Sequence, residues 1–107
     1  MKLIYTQAAI DDILDIESYI RNFLGNKTAA TRIKVAITKT CKRLKLFPHS
    51  GAQLSNIIEC ASDLRYFTCE NWIVFYQVSD PEVRIIRVLD GRTDFVRVLT
   101  RHLNQQN

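Results

Sequence analysis

Lys45, His49, Arg65, Arg87 and Arg92 are the side chains of this sequence whose chemistry is worth weighing first. Guanidinium and ammonium groups hold negative charge on carboxylates or phosphates, and a histidine can move a proton near neutral pH. Arg87 is the sharpest case. It lies in a β-type run, and a side-chain period of two places it with Val83, Ile85 and Leu89, while Arg84, Ile86, Val88 and Asp90 take the other face. A guanidinium among apolar neighbours must snorkel, pair with a carboxylate such as Asp63 or Asp94, or line a groove that takes an anion, because an unpaired buried charge is costly. Arg92 follows Gly91 beyond the run and is expected to be exposed. Arg65 precedes Tyr66, and neighbours on a strand face opposite ways, so they share a site only across a bulge. Pairing of Arg65 with Asp63 or Glu59 is its structural alternative. Lys45 and His49 flank Pro48 where a helix should end, and the negative dipole end is a sufficient structural reason for both.

The elements that must position these groups follow from pattern. Residues 64–69, 72–78 and 83–89 read as strands rich in aromatic and β-branched side chains, joined by turns at Glu70-Asn71 and Ser79-Asp80-Pro81-Glu82. Upstream, Thr6 can cap a helix whose early turns carry Asp11, Asp12 and Asp15, with Ile10, Ile13, Ile16, Ile20 and Phe23 or Leu24 as its apolar stripe and Gly25 as its left-handed end. Asn26 or Thr28 can cap a second helix with Ile33, Ile37, Thr40, Leu44 and Phe47 inward, Cys41 at the edge, and Arg32, Lys39, Lys42 and Arg43 outward, closed by Pro48. Residues 48–60 are irregular, although Leu54, Ile57 and Ile58 need apolar contact. Residues 94–103 suit a short helix with Phe95, Val98 and Leu99 on one side, and 104–107 should fray. The expected architecture is α+β: a helical hairpin packed on one face of a small antiparallel sheet, order β-α-α-β-β-β, with the other face open. Residues 2–5 form a first strand that must join at an edge or beside a distant strand.

Composition narrows the class. With 107 residues, 47% of them hydrophobic, and only three glycines and two prolines, the chain should fold as a single domain without staples. Apolar runs fall far short of the roughly 20 residues of a membrane span. Met1-Lys2 leads straight into Leu3-Ile4-Tyr5 with no signal-peptide pattern, so a cytoplasmic protein with no membrane partner is expected. Cys41, Cys60 and Cys69 match no zinc or redox spacing, His49 and His102 make no metal pair, and neither metal nor cofactor is expected. Fifteen lysines and arginines against eleven acids give +4, and no carboxylate occurs from Ser18 to Ile58. That stretch holds Arg21, Lys27, Arg32, Lys34, Lys39, Lys42, Arg43 and Lys45. Such segregation makes either a solvated helix face or a surface that steers an anionic partner, nucleic acid or acidic protein.

The run from Leu64-Arg65 through Trp72-Ile73-Val74-Phe75-Tyr76 to Ile85-Ile86-Arg87-Val88-Leu89-Asp90-Gly91-Arg92-Thr93-Asp94 resembles the second half of the RelE/ParE superfamily, the small toxins of bacterial type II toxin–antitoxin modules. The upstream element order agrees, so the resemblance spans roughly 1–97. The ending Arg-Val-Leu-x-Gly-Arg-x-Asp is most similar to the ParE branch, which usually has histidine where this chain has Asp90. That branch implies a toxin that binds and poisons DNA gyrase and is neutralised by a cognate antitoxin, with Arg65, Arg87, Asp90, Arg92 and Phe95 as target- or antitoxin-binding residues. A homodimer or a toxin–antitoxin hetero-oligomer is the implied assembly. The ribonuclease branch implies the alternative, ribosome-dependent and metal-independent cleavage of mRNA, which needs a base, an acid and cations around the reacting phosphate. Its candidates here are Lys45, His49, Arg65, Tyr66, Arg87 and Arg92. Where RelE-like and YoeB-like nucleases place tyrosine or histidine, this chain has Asp90-Gly91-Arg92, and His102 lies beyond. A binding toxin is therefore expected, ahead of the nuclease and of a plain basic nucleic-acid-binding module.

Overall fold

A computed structural model describes residues 1–54, 63–95, 97–99 and 101. Strand β1, Lys2–Tyr5, leads into helix α1, Gln7–Ser18. Thr6 caps α1 as its sequence position predicts, its hydroxyl oxygen accepting from Ala9 N at 3.1 Å. Ala9, Ile13 and Ile16 are the buried stripe. The next turn, Tyr19–Phe23, widens into a π-helical turn, with Leu24 N donating to Tyr19 O at 3.1 Å. Gly25 then reverses the chain at φ 66°, the left-handed conformation expected of it. The widened turn rotates Phe23 outward, where it is 76% exposed and stacks on Tyr19.

Asn26 caps helix α2, Lys27–Arg43, accepting from Ala29 N at 2.9 Å. Ala30, Ile33, Ile37 and Cys41 are buried, and Leu44 continues their stripe. Cys41 is thus central to the core rather than at its edge. Phe47, expected inward, is 63% exposed, because the helix stops at Arg43 and residues 44–47 leave the helical register in tight turns.

Strands β2 (Ala52–Gln53), β3 (Arg65–Cys69), β4 (Trp72–Ser79) and β5 (Glu82–Asp90) complete a five-stranded sheet ordered β1-β5-β4-β3-β2. The β3–β4–β5 meander is antiparallel as expected. β1 takes an edge beside β5 and runs parallel to it, which makes the sheet mixed. The α+β class stands.

Two departures govern the site. First, Phe75 pairs with Arg87 and Tyr76 with Ile85, so Ile86 is an extra residue and β5 carries a bulge. The simple alternation that placed Val83, Ile85, Arg87 and Leu89 together therefore fails. Val83, Ile85 and Val88 pack in the helix-side core, while Ile86 and Leu89 pack on the opposite face. Second, that opposite face, expected to be open, is covered. Leu54, Leu64 and Leu99 close over Phe75, Ile86 and Leu89, with Phe95 and Val98 beside them, because the helical residues at 95, 97–99 and 101 turn their apolar side inward. No helix among the described residues is long and apolar enough to cross a membrane. Ile57, Ile58, Glu59, Cys60, His102 and 104–107 lie outside the described residues.

Candidate functional site

β1 ends at Tyr5, and Thr6 closes its ladder by donating from N to Ile85 O (3.0 Å) and from Oγ1 to Ile86 O (2.8 Å). Beyond that point the edge of β5 has lost its strand partner, and α1 supplies a substitute. Asp12 accepts from Val88 N at 2.9 Å through Oδ2, and also takes Arg87 as a fork, Nε to Oδ2 at 2.7 Å and Nη2 to Oδ1 at 2.9 Å. Side-chain exposures of 21% for Arg87 and 13% for Asp12 leave this pair mostly shielded. The hydrogen bond to Asp12 raises the guanidinium pKa despite the opposing effect of burial. Arg87 is therefore braced by a carboxylate, as one reading of the sequence proposed, but the acid is Asp12 rather than Asp63 or Asp94. Asp94 instead accepts a long 3.4 Å bond from Arg97 N. Asp12 is the residue that sequence reasoning missed as a partner. Its signal was its place immediately before Ile13, on the flank of the buried stripe, whereas Asp11 accepts from Gln7 in solvent.

At the far end of the sheet, Trp72 pairs with Asp90 and Gly91 N donates to Asn71 O at 2.9 Å. The chain turns there around the Asp90 carboxylate, which accepts from Arg92 N (2.9 Å), Nε (3.2 Å) and Nη2 (3.0 Å). These bonds hold the Asp90 carboxyl below the usual aspartate range. Arg92, 90% exposed in its side chain, presents the remainder of its guanidinium to solvent, as its position after Gly91 suggested. Beside it lies a groove of about 560 Å³ lined in part by Tyr19, Ile20, Arg32, Glu70 and Trp72. Arg32 crosses its rim to Glu70 at 2.8 Å.

The remaining candidates lie elsewhere. Arg65 pairs with neither Asp63 nor any other described carboxylate. Its Nη1 donates to the carbonyls of Gly51 (2.8 Å) and His49 (3.3 Å), pinning the loop before β2. Gly51 N donates to Tyr76 Oη at 2.8 Å, and burial pushes that phenol's pKa upward. A Cβ on Gly51 would stand 2.5 Å from Tyr76 Oη and 2.7 Å from Tyr66 O, so only glycine fits. Lys45 and His49 are exposed, and the Lys45 carbonyl accepts from the N-terminal ammonium at 3.1 Å. Tyr66 and Phe95 point into the second core, where the Phe95 ring sits 5.5 Å from that of Phe75.

Arg65 is registered with Tyr76, whereas Asp90 is registered with Trp72 at the other end of β4. Four residues along and two strands across separate them by roughly 16 Å. The structure therefore brings Asp90 and Arg92 together, leaves Arg65 and His49 joined through a backbone carbonyl at the opposite end, and places Arg87 between them on Asp12. Chemically, this is a set of neutralised or carbonyl-bound arginines around a rigid sheet, with Arg92 the most openly presented.

The class that this fold and composition define is a small α+β domain of net charge +4, with a helical hairpin packed on a five-stranded mixed sheet. The sequence profile of the ParE toxin of type II toxin–antitoxin systems, parDE, matches residues 3–95, and the chain belongs to that family. Toxin ParE3 of Caulobacter vibrioides (strain ATCC 19089 / CIP 103742 / CB 15) is 32% identical over 75 residues, covering 70% of this chain and 71% of that protein. The fold is similar to a solved chain of the chromosomal ParDE TA system from P. aeruginosa, with a TM-score of 0.70 at 22% identity over 84% of this chain and 95% of that one.

Proposed function

We propose that this ParE-family toxin arrests bacterial growth in the cytoplasm by binding and poisoning DNA gyrase, and that a cognate antitoxin neutralises it by docking on the sheet and helix surfaces. The observation that carries this reading is the corner Asp90-Gly91-Arg92. Cleaving a phosphodiester there would need a base and an acid poised for proton transfer. The carboxylate present is instead held ionised by Arg92, and no described histidine stands beside it. Within this reading Arg92 and Asp90 form the presented contact, and Arg65, Arg87 and Phe95 serve it by fixing the loop, the strand edge and the second core.

Induction of the chain alone in a bacterium tests this. Growth arrest with filamentation, an SOS response and cleaved plasmid, relieved by co-expression of the antitoxin, is the expected result. In-frame mRNA cuts at the ribosomal A site with undamaged DNA would overturn it in favour of a ribosome-dependent endonuclease.

A further inference from the structure

Among the described residues, positive charge is densest on the solvent side of α2, where only Arg32 borders the groove beside Arg92. Across seventeen residues, α2 carries Lys27, Arg32, Lys34, Lys39, Lys42 and Arg43 and no carboxylate. Burial of Ala30, Ile33, Ile37 and Cys41 fixes which side faces inward, so these cations stand on the solvent side. At 100° per residue they fan over about half the circumference, from Lys34 and Lys27 at one margin through Lys42 to Lys39, Arg32 and Arg43 at the other. Arg32 is engaged by Glu70, and Lys34 lies 3.6 Å from Glu17. Lys27, Lys39, Lys42 and Arg43, with Lys45 just beyond the helix, make no ion pair among the described residues.

Local stability does not account for that arrangement. Lys42 and Arg43 suit the negative end of the helix dipole, but Lys27 sits at its positive end, where a cation is disfavoured. Lys39 repels Lys42 and Arg43 three and four residues on. A fan of like charges kept at such a cost fits an external polyanion that neutralises it.

We propose that this face of α2 binds the phosphate backbone of duplex DNA. From Lys27 to Lys42 the helix rises about 22 Å, the axial length of roughly six phosphates of one strand. The cations stand on a single rigid helix, so they can lie along a regular backbone without ordering a loop. Val35 is the one large exposed apolar side chain among the α2 cations, and Leu46 and Phe47 are exposed only beyond the helix beside Lys45, so contact of the helix face with backbone rather than with bases is the fit. The choice of duplex DNA over RNA rests on the gyrase reading, in which the toxin works beside DNA held by its target.

The test is fluorescence anisotropy of the full chain with a short labelled duplex across a salt series, without gyrase. Each phosphate contact contributes about 0.9 to the slope of log affinity against log salt, so Lys39→Ala/Lys42→Ala/Arg43→Ala should flatten the slope by about 3. Alanine is favoured at exposed helical sites, and circular dichroism verifies that the variant folds. Arg84→Ala, a cation on β5 paired with Glu82, should leave the slope unchanged. An unchanged slope in the folded triple variant overturns the proposal, as does tighter binding of structured RNA or of poly-glutamate than of the duplex. In-frame mRNA cleavage in cells would remove the gyrase reading while a measured duplex preference still stood, so the two failures are distinguishable.

Discussion

Replacing Arg87 by alanine tests the brace between α1 and the bulged edge of β5. The substitution removes two charge-assisted hydrogen bonds, at 2.7 and 2.9 Å, and leaves the Asp12 carboxylate with Val88 N as its remaining donor among the described residues. Hydrogen bonds to charged groups contribute about 1.5–3 kcal/mol, and stranding one partner of a fully buried pair costs about 3–5 kcal/mol. Here 21% and 13% of the two side chains remain exposed, so water partly re-solvates the orphaned carboxylate and the cost should be about 2–3 kcal/mol. In a urea titration that is a midpoint lowered by roughly 1–2 M, and in a thermal melt a drop on the order of 10 °C. Asp12→Ala, combined with Arg87→Ala in a double-mutant cycle, should show a coupling of at least about 1 kcal/mol. The pH behaviour has a definite sign. Because folding raises the guanidinium pKa, its contribution is fully present below the ordinary arginine range and disappears only above it, so the loss should be equal at neutral and at moderately alkaline pH. A destabilisation under about 0.5 kcal/mol, typical of an inert surface site, would refute the brace, and loss of toxicity in so stable a variant would make Arg87 a contact residue instead.

Tyr76→Phe should cost about 1–3 kcal/mol in urea denaturation, because it leaves the buried Gly51 N–H without its 2.8 Å acceptor. Gly51→Ala should destabilise by a further-reaching route, about 1–3 kcal/mol of overpacking against Tyr76 Oη and the Tyr66 carbonyl, and a neutral result would refute the close approach. Arg92→Ala should leave the unfolding midpoint unchanged within replicate error, since its side chain is in solvent. Its readout is the Asp90 carboxyl, which should rise toward the ordinary aspartate range in an NMR titration; the depressed carboxyl favours folding above that range and loses its contribution as pH falls through the folded value. Burial pushes the Cys41 thiol up to about 11, so iodoacetamide should modify the half-buried Cys69 well before Cys41, and equal rates by peptide mass mapping would contradict the packing of α2.

The elements themselves were legible because their signals are local. Thr6 and Asn26 cap, Gly25 reverses the chain, and the two helices and three strands of the meander fall close to where their apolar periods place them. What escaped the reading was two-sidedness. Strict alternation put Arg87 with Val83, Ile85 and Leu89, but an extra residue at Ile86 resets the faces. The sequence does carry a trace of this in the adjacent apolar doublets Ile85-Ile86 and Val88-Leu89, three apart, which suit a bulged strand covered on both faces and not a half-exposed one. Leu54, Phe95, Val98 and Leu99 have no place to pack if one sheet face is open, and the face expected to be open is where they pack. The partners of Arg65 and Arg87 were illegible for a different reason. A backbone carbonyl fourteen residues away and a carboxylate seventy-five residues away are set by tertiary geometry that no spacing encodes.

That pairing pattern bears on what the surface can do. To engage a phosphate, Arg87 would have to release Asp12, which also caps the β5 edge, so an anion competing there opposes the fold itself. Arg65 is similarly committed to the carbonyls of His49 and Gly51. Arg92 is held by Asp90 but stands in water, where exchanging one carboxylate for another costs little, because exposed ion pairs are worth at most about 1 kcal/mol. A partner that brings its own acidic group can therefore displace Asp90 from Arg92 without disturbing the sheet. The consequence is a division of labour along the chain: Arg65 and Arg87 whose charge is consumed by structure at the sheet, the exposed pairs Asp90–Arg92 and Arg32–Glu70 at its end, and uncommitted cations on α2. Binding can use the last two without cost to stability, whereas chemistry at the sheet would have to dismantle the contacts that hold it together.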